Sequence, residues 1–279
     1  MREVTVFTHR SPADTTGAMR QLAKQAREVG VRLRLDEEET RKHDLREEAA
    51  IELNAPLKDD VELCIVLGGD GTILCALQRY AGTGVPVFAV NYGEIGFLAT
   101  IEPSEIEDGF RRALSGDFEL LRLPAIVLED PTRVAINDVA IHRKVGERVA
   151  EIAYALAGEV VGSVRCDGLV VATPAGSTGY NLANGGPVMA WGVEGLVVSF
   201  IAPHSLTARA LVVAPGDLLT IHNRSRDPLD VAVDGRPAGE IPAGASVDAR
   251  FVNDLGTIAQ LPGSSFYRRL RQKFGRLAS

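Results

Sequence analysis

Apolar residues along this chain fall into two textures that change near residue 120. In the first stretch, the apolar run 64–67 and the segment 85–90 read as buried strands of a parallel sheet, with 4–7 and 31–35 as two further strands. Between them apolar residues recur at helical spacing. Met19, Leu22, Ala26 and Val29 share one face, with Gly30 to end the helix, and Ile73, Leu74 and Leu77 share another. Ile106, Phe110, Ala113 and Leu114 make a third, opened by a Ser104/Glu107 capping box and closed by Gly116. Strands alternating with helices predict a parallel sheet covered on its faces. Residues 37–52, dense in charges of both signs, predict a solvated helix or loop.

Beyond residue 118 the runs become short and partly alternating, at 125–129, 133–142, 150–156, 196–201, 217–222, 229–233 and 246–252, separated by Gly, Pro and Asp. That pattern predicts a β-rich second domain. At the tail Phe266, Leu270, Phe274 and Leu277 form a helical stripe, with Arg268, Arg269, Arg271, Lys273 and Arg276 on the other faces. The expected organisation is an α/β domain with a parallel sheet over 1–122, a β-rich domain over 123–262, and a C-terminal helix over 263–279 that packs back on the first domain.

A chain of 279 residues, 46% hydrophobic and 24% charged, can bury a sizeable core and is not composed like a disordered segment. The net charge of -7 gives no general affinity for nucleic acid or an anionic membrane, so any phosphate binding must be local. Cys64, Cys75 and Cys166 are dispersed in apolar patterns and fit reduced core residues. The N-terminal residues lack the apolar stretch of a secretion signal, and no run reaches the ~18 apolar residues of a membrane span. These features predict a cytoplasmic protein.

The chemistry concentrates where the apolar run 64–67 stops at Gly68-Gly69-Asp70-Gly71-Thr72 and a helix begins. Glycines let a ligand approach the main chain, and the free N–H groups of a helix start favour a phosphate. The same five residues also fit a tight turn capped by Asp70, and both readings stand at this point. A carboxylate beside a phosphate suits a base or a metal ligand. In the β-rich half, residues 165–181 end an apolar strand in a turn of Pro, Gly, Ser and Thr, whose hydroxyls and amides suit ribose and phosphate oxygens as readily as a helix cap. Asn137-Asp138 interrupts an apolar run, either as a bulge that meets a ligand or as packing against solvent. His204, Ser205 and Asp234 lack a nucleophile-elbow pattern around the serine, which sets a hydrolase aside.

Taken together, GGDGT at 68–72, NYGEIGFL at 91–98, AINDVAIHR at 135–143, DGLVVATPAGSTGYNLANGGP at 167–187, PHSLTARALVV at 203–213 and VDGR at 233–236 resemble the NAD kinases in order and spacing. GGDGT is shared with lipid kinases, whereas the 167–187 block is not. The resemblance implies transfer of the γ-phosphoryl group of ATP, or polyphosphate, to the 2′-hydroxyl of the adenosine ribose of NAD. It implies Asp70 as the base, with Gly71 and Phe97 beside the ligand, and Gly68, Gly69, Gly71 and Thr72 around the donor phosphates. Asn137 and Asp138 match a pair that holds the dinucleotide. Arg165 and Asp167 match an RxDG motif, and Thr178, Gly179, Tyr180, Asn181, Leu182 and Ala183 match the loop lining the adenine and ribose pocket. Arg148 and Arg236 are looser matches.

A divalent ion, expected to be Mg2+, is implied without a metal cage in the chain. The implied partners are NAD and ATP, with neither nucleic acid nor membrane, in a homo-oligomer, dimer or tetramer. Asp138 stands where Glu is usual, Ala175 where Thr or Ser is frequent, and Gly179 where Ala is common. The competing expectations are a GGDGT-type kinase of another alcohol, lipid or sugar, and a non-catalytic dinucleotide-binding regulator.

Overall fold

The computed structural model describes residues 2–43, 46–47, 50–94, 96–129 and 133–275. The chain divides into two compact units, Met1–Arg122 with Gly256–Ser279, and Leu123–Leu255.

In the first unit β1 (Arg2–Thr8), β2 (Val31–Arg34), β3 (Ile51–Glu52), β4 (Leu63–Gly68) and β5 (Val87–Asn91) lie in the order β3-β2-β1-β4-β5. All neighbours are parallel. Every residue of β4 is buried, which is why its run is apolar without alternation. The helices are α1 (Pro12–Glu28), α2 (Glu37–Lys42), α3 (Asp70–Arg79) and α4 (Ile106–Ser115). Met19, Leu22 and Ala26 of α1 and Phe110, Ala113 and Leu114 of α4 pack with Val6, Ile65 and Val90 in one core. Each such large side chain contributes about 1.5–3 kcal/mol by leaving water.

Three details differ from the sequence reading. Val29 caps α1 rather than extending its stripe and is 53% exposed. The capping box is Glu102/Glu105, not Ser104/Glu107, because Pro103 has no N–H to give and starts a short 3-10 turn ahead of α4. Within the charged stretch, Glu39 is buried rather than solvated, and its carboxylate takes the Thr8 hydroxyl at 2.5 Å and Lys42 Nζ at 2.8 Å. Residues 44, 45, 48 and 49 of that stretch lie outside the described residues.

The second unit is built from β6 (Glu119–Glu129), β7 (Arg133–Ala135), β8 (Asp138–Arg143), β9 (Ala150–Leu156), β10 (Glu159–Cys166), β11 (Gly168–Ala172), the short α5 (Tyr180–Ala183), β12 (Leu196–Ile201), β13 (Leu211–Val213), β14 (Leu219–Asn223), β15 (Leu229–Val233), β16 (Arg236–Ile241) and the first part of β17 (Ser246–Gln260). One antiparallel sheet has the order β13-β12-β11-β8-β15-β16. In the other, β10, β9, β14 and β17 are neighbours. Val139, Ile141, Leu169, Val171 and Val198 of the first share a core with Ile152, Ile221, Ala249 and Phe251 of the second. The sequence pattern does not announce β10, β13 or β16, and all three are sheet edges. Edge strands bury little of either face and so carry a weak periodic signal.

The chain then returns to the first unit, where Ile258 of β17 pairs in parallel with Val87 of β5. α6 (Phe266–Phe274) follows, with the Ser265 hydroxyl accepting the Arg268 N–H at 3.2 Å. Phe266 is buried and the Phe274 ring lies 5.4 Å from the ring of Phe97. Arg269 does not belong to the solvated basic face: it is 9% exposed and turned onto the backbone carbonyls of Phe97 and Ala99. Arg276 and Leu277 lie outside the described residues. Among the described residues no helix is long and apolar enough to cross a membrane.

Candidate active site

At the end of β4 the chain turns through Gly68 and Gly69 and enters α3 at Asp70. Backbone packs on backbone here. A Cβ on Gly68 would stand 2.7 Å from that of Thr72, and one on Gly69 would stand 3.2 Å from the Gly93 Cα. Gly68 has no room for a side chain against Thr72, and one on Gly69 would press on the Gly93 backbone. The N–H groups of Thr72 and Ile73 both donate to the Gly69 carbonyl, so the helix closes tightly on the turn. Its first N–H groups have no acceptor within the helix and carry the positive end of its dipole. Gly71 is exposed, and a Cβ there would meet nothing within 4 Å.

Asp70 is half-buried, and its carboxylate accepts the N–H groups of Phe97 and Leu98, each at 3.2 Å. Burial pushes its pKa above the ordinary carboxylate value, opposed by those two amides and by the charges of Lys273 and Arg269. The side chain is therefore oriented and more basic than a surface aspartate. Phe97 gives Asp70 its amide, while its ring is buried against Phe274.

In the second unit β7 stops at Ala135 and β8 resumes at Asp138, with Ile136 and Asn137 in the break. The break is held by Asp234, from the turn after β15, whose carboxylate accepts the N–H groups of Ile136 at 2.9 Å, Asn137 at 2.7 Å and Asp138 at 3.0 Å. Sequence reasoning did not find this role; the one hint was an acid before glycine at the end of an apolar run. Asp138 is buried, and burial, then the nearby Asp234 charge, pushes its carboxyl up to about 7. Asn137 is half-buried, with its Oδ1 shielded from solvent and without a protein partner.

The 173–183 loop lies against this break. Thr173 donates its N–H to the Asn137 carbonyl at 2.9 Å and its hydroxyl to the Ile136 carbonyl at 2.7 Å. Gly176 is so close to the Asn137 carbonyl that a Cβ would overlap it. Ser177 is buried, giving its hydroxyl to Pro174 at 2.7 Å and accepting the Met189 N–H at 2.9 Å. The hydroxyls of Thr173 and Ser177 thus brace the loop, whereas Thr178 is half-buried and donates to the Ala175 carbonyl at 3.2 Å. A Cβ on Gly179 would come 3.9 Å from Asp138 Oδ2, which puts Gly179 beside that acid. The exposed Tyr180 ring stacks on His142 at 5.7 Å. Asn181 is fully buried and binds the carbonyls of Ser177 and Pro187 through its Nδ2, a bracing role. Leu182 is half-buried and Ala183 exposed.

Asp167 is paired with Arg143, Nε to Oδ1 at 2.6 Å, and that partner holds its carboxyl below the ordinary range. Arg148, Arg165 and Arg236 are exposed, on the loop before β9, in β10 and at the start of β16. His204, Ser205 and Asp234 form no triad, since the Asp234 carboxylate is engaged with the 136–138 amides and the Ser205 hydroxyl with that of Thr207 at 3.0 Å. Among the described residues no three His, Cys, Asp or Glu side chains converge as a metal site.

Residues 14–118 match the family model of the ATP-NAD kinase N-terminal domain, and residues 136–251 that of the ATP-NAD kinase C-terminal domain. An NAD kinase of Gemmatimonas aurantiaca is 35% identical over 226 residues, which span 77% of this chain and 78% of the relative. One of Symbiobacterium thermophilum is 36% identical over 226 residues, 78% of this chain and 80% of the relative. Yeast NADH kinase complexed with NADH has the same fold, with a TM-score of 0.88 at 22% identity over 100% of this chain and 89% of that one. An NAD kinase from Archaeoglobus fulgidus in complex with ATP gives 0.76 at 24% identity, over 100% and 99% of the two chains.

Proposed function

The chain belongs to the NAD kinase family and is an NAD kinase, and from that premise we propose that Asp70 is the base that takes the proton of the acceptor hydroxyl. The 2′-oxygen of the adenosine ribose of NAD forms a bond to the γ-phosphorus of ATP, the bond to the leaving diphosphate oxygen breaks, and the hydroxyl proton passes to Asp70. The observation that supports this reading is the half-buried Asp70 carboxylate at the head of α3, held by the Phe97 and Leu98 amides and made more basic by burial. Phosphoryl transfer asks for positioning and charge neutralisation more than for covalent chemistry. A positioned general base contributes about 10²- to 10⁴-fold.

The donor phosphates lie on the turn of Gly68, Gly69, Gly71 and Thr72, where the unused N–H groups of the helix start favour an anion. A divalent ion, Mg2+ by its preference for phosphate oxygens, enters with the donor rather than in a protein cage. On the second unit, Asn137 offers its unpartnered Oδ1 and Asp138 its carboxyl to the dinucleotide, with Thr178, Gly179 and Tyr180 lining the same place. We further propose a cytoplasmic homo-oligomer. The deciding experiment is NADP formation from NAD and ATP with Mg2+, followed by an NADP-specific dehydrogenase, with polyphosphate and NADH in parallel. ATP-dependent NADP formation is expected; product with polyphosphate alone would reassign the donor.

A further inference from the structure

We propose that Arg269 is a positioning residue for phosphoryl transfer, fixing the Asp70 carboxylate through the backbone segment Phe97-Leu98-Ala99. The inference rests on Asp70 as the base. Arg269 Nη1 donates to the Phe97 carbonyl at 2.9 Å and to that of Ala99. On its other side the same segment gives the N–H groups of Phe97 and Leu98 to Asp70. The Phe97 carbonyl and the Leu98 N–H are the two ends of one peptide group, so a guanidinium on its oxygen and a carboxylate on its nitrogen polarise it in the same sense. Hydrogen bonds in such a chain strengthen one another.

Burying a guanidinium is costly when uncompensated, yet Arg269 is 9% exposed and burial lowers its pKa. Helical spacing puts it on the same face of α6 as Phe266. The charges around this arrangement are Asp70 and Glu102, which face Arg269, and Lys273, which acts on Asp70 and lies 3.6 Å from Glu102. Removing the Arg269 charge therefore leaves Asp70 less favoured as an anion, and its pKa rises.

The test is the pH dependence of kcat, measured with NAD and ATP on wild type, Arg269→Gln, Arg269→Lys and Asp70→Asn. In Arg269→Gln, kcat is expected to fall about tenfold, the size of one lost charge-assisted bond. Its acid limb should move to higher pH, with KM for NAD within about twofold, since the dinucleotide contacts proposed on the second unit are untouched. Arg269→Lys keeps the charge but not the fork, so the limb should return towards wild type while kcat recovers only in part.

An Arg269→Gln enzyme with lowered Tm but wild-type kcat and limb would overturn the proposal. Where Arg269→Gln does not fold, Arg269→Lys decides, and wild-type kcat in it would overturn the proposal equally. Near-normal turnover in Asp70→Asn would remove the base assignment itself; an inactive Asp70→Asn beside a wild-type-like Arg269→Gln would overturn Arg269 alone.

Discussion

Asp234 accepts the backbone N–H of Asp138 at 3.0 Å, and Asp138 returns its carbonyl to the backbone N–H of Asp234 at 2.9 Å. The backbone ties together two acids whose charges repel, and burial, with that repulsion added, pushes the Asp138 carboxyl up to about 7 in place of 3.8. Between those values the folded chain holds a proton that the unfolded chain has lost, so this group's stabilisation is complete below pH ~4 and disappears as pH rises through ~7. Urea unfolding of the ligand-free enzyme at pH 5, 6, 7 and 8 should show that decline. Asp138→Asn should flatten it, and an unchanged slope in the variant would place the proton elsewhere.

Asp234→Ala leaves three backbone N–H groups around the break without their carboxylate. Relief of the repulsion with Asp138 offsets part of that loss, and a net destabilisation of about 3 kcal/mol is expected. KM for NAD should rise along with it, because Asn137 is set by the same bonds. A variant with wild-type Tm and KM would show that the break is held by other means.

Asp70→Asn keeps the size of the side chain but offers one oxygen to two amides, since Phe97 donates to Oδ2 and Leu98 to Oδ1. Stability should fall by about 1–3 kcal/mol for the amide left without an acceptor, NAD affinity should stay near wild type, and kcat should fall by about 10²- to 10⁴-fold. Calorimetric titration with NAD beside the coupled assay separates the two quantities.

Two glycines predict opposite outcomes. Gly176→Ala puts a methyl into the Asn137 carbonyl, and such overpacking typically costs about 1–3 kcal/mol, with weakened NAD binding. Gly71→Ala adds a methyl to open space in the first turn of α3, so stability should hold or rise by about 0.5–1 kcal/mol. Its effect should fall on KM for ATP, read from initial rates at saturating NAD.

Much of the first unit was legible because the physics there is local. β4 is buried on both faces and so reads as an unbroken apolar run, and the turn after it needs glycine where backbone meets backbone. Asn137-Asp138 was visible as polar residues in an apolar run, but the acid that holds them is 96 residues from Asp138 and arrives only through the pairing of β15 with β8. Arg269 was hidden by its own charge, since a basic residue on a basic helix reads as solvated until its acceptors are known. The loop hydroxyls fitted a ligand surface or a helix cap equally in the sequence; in the structure those of Thr173 and Ser177 bond to the Ile136 and Pro174 carbonyls.

The first unit is discontinuous, closed by Gly256–Ser279 after the whole of Leu123–Leu255 has been laid down. Thr100, whose hydroxyl takes the Ala89 N–H at 3.1 Å, needs the carbonyl of Ala259 at 2.7 Å, and the segment that holds Asp70 needs Arg269. The whole of Leu123–Leu255 is therefore synthesised before the residues that support the Asp70 segment. A chain cut before Gly256 would carry the GGDGT turn and the second unit without Arg269 on the carbonyls of Phe97 and Ala99, so the order of synthesis separates the turn from its brace.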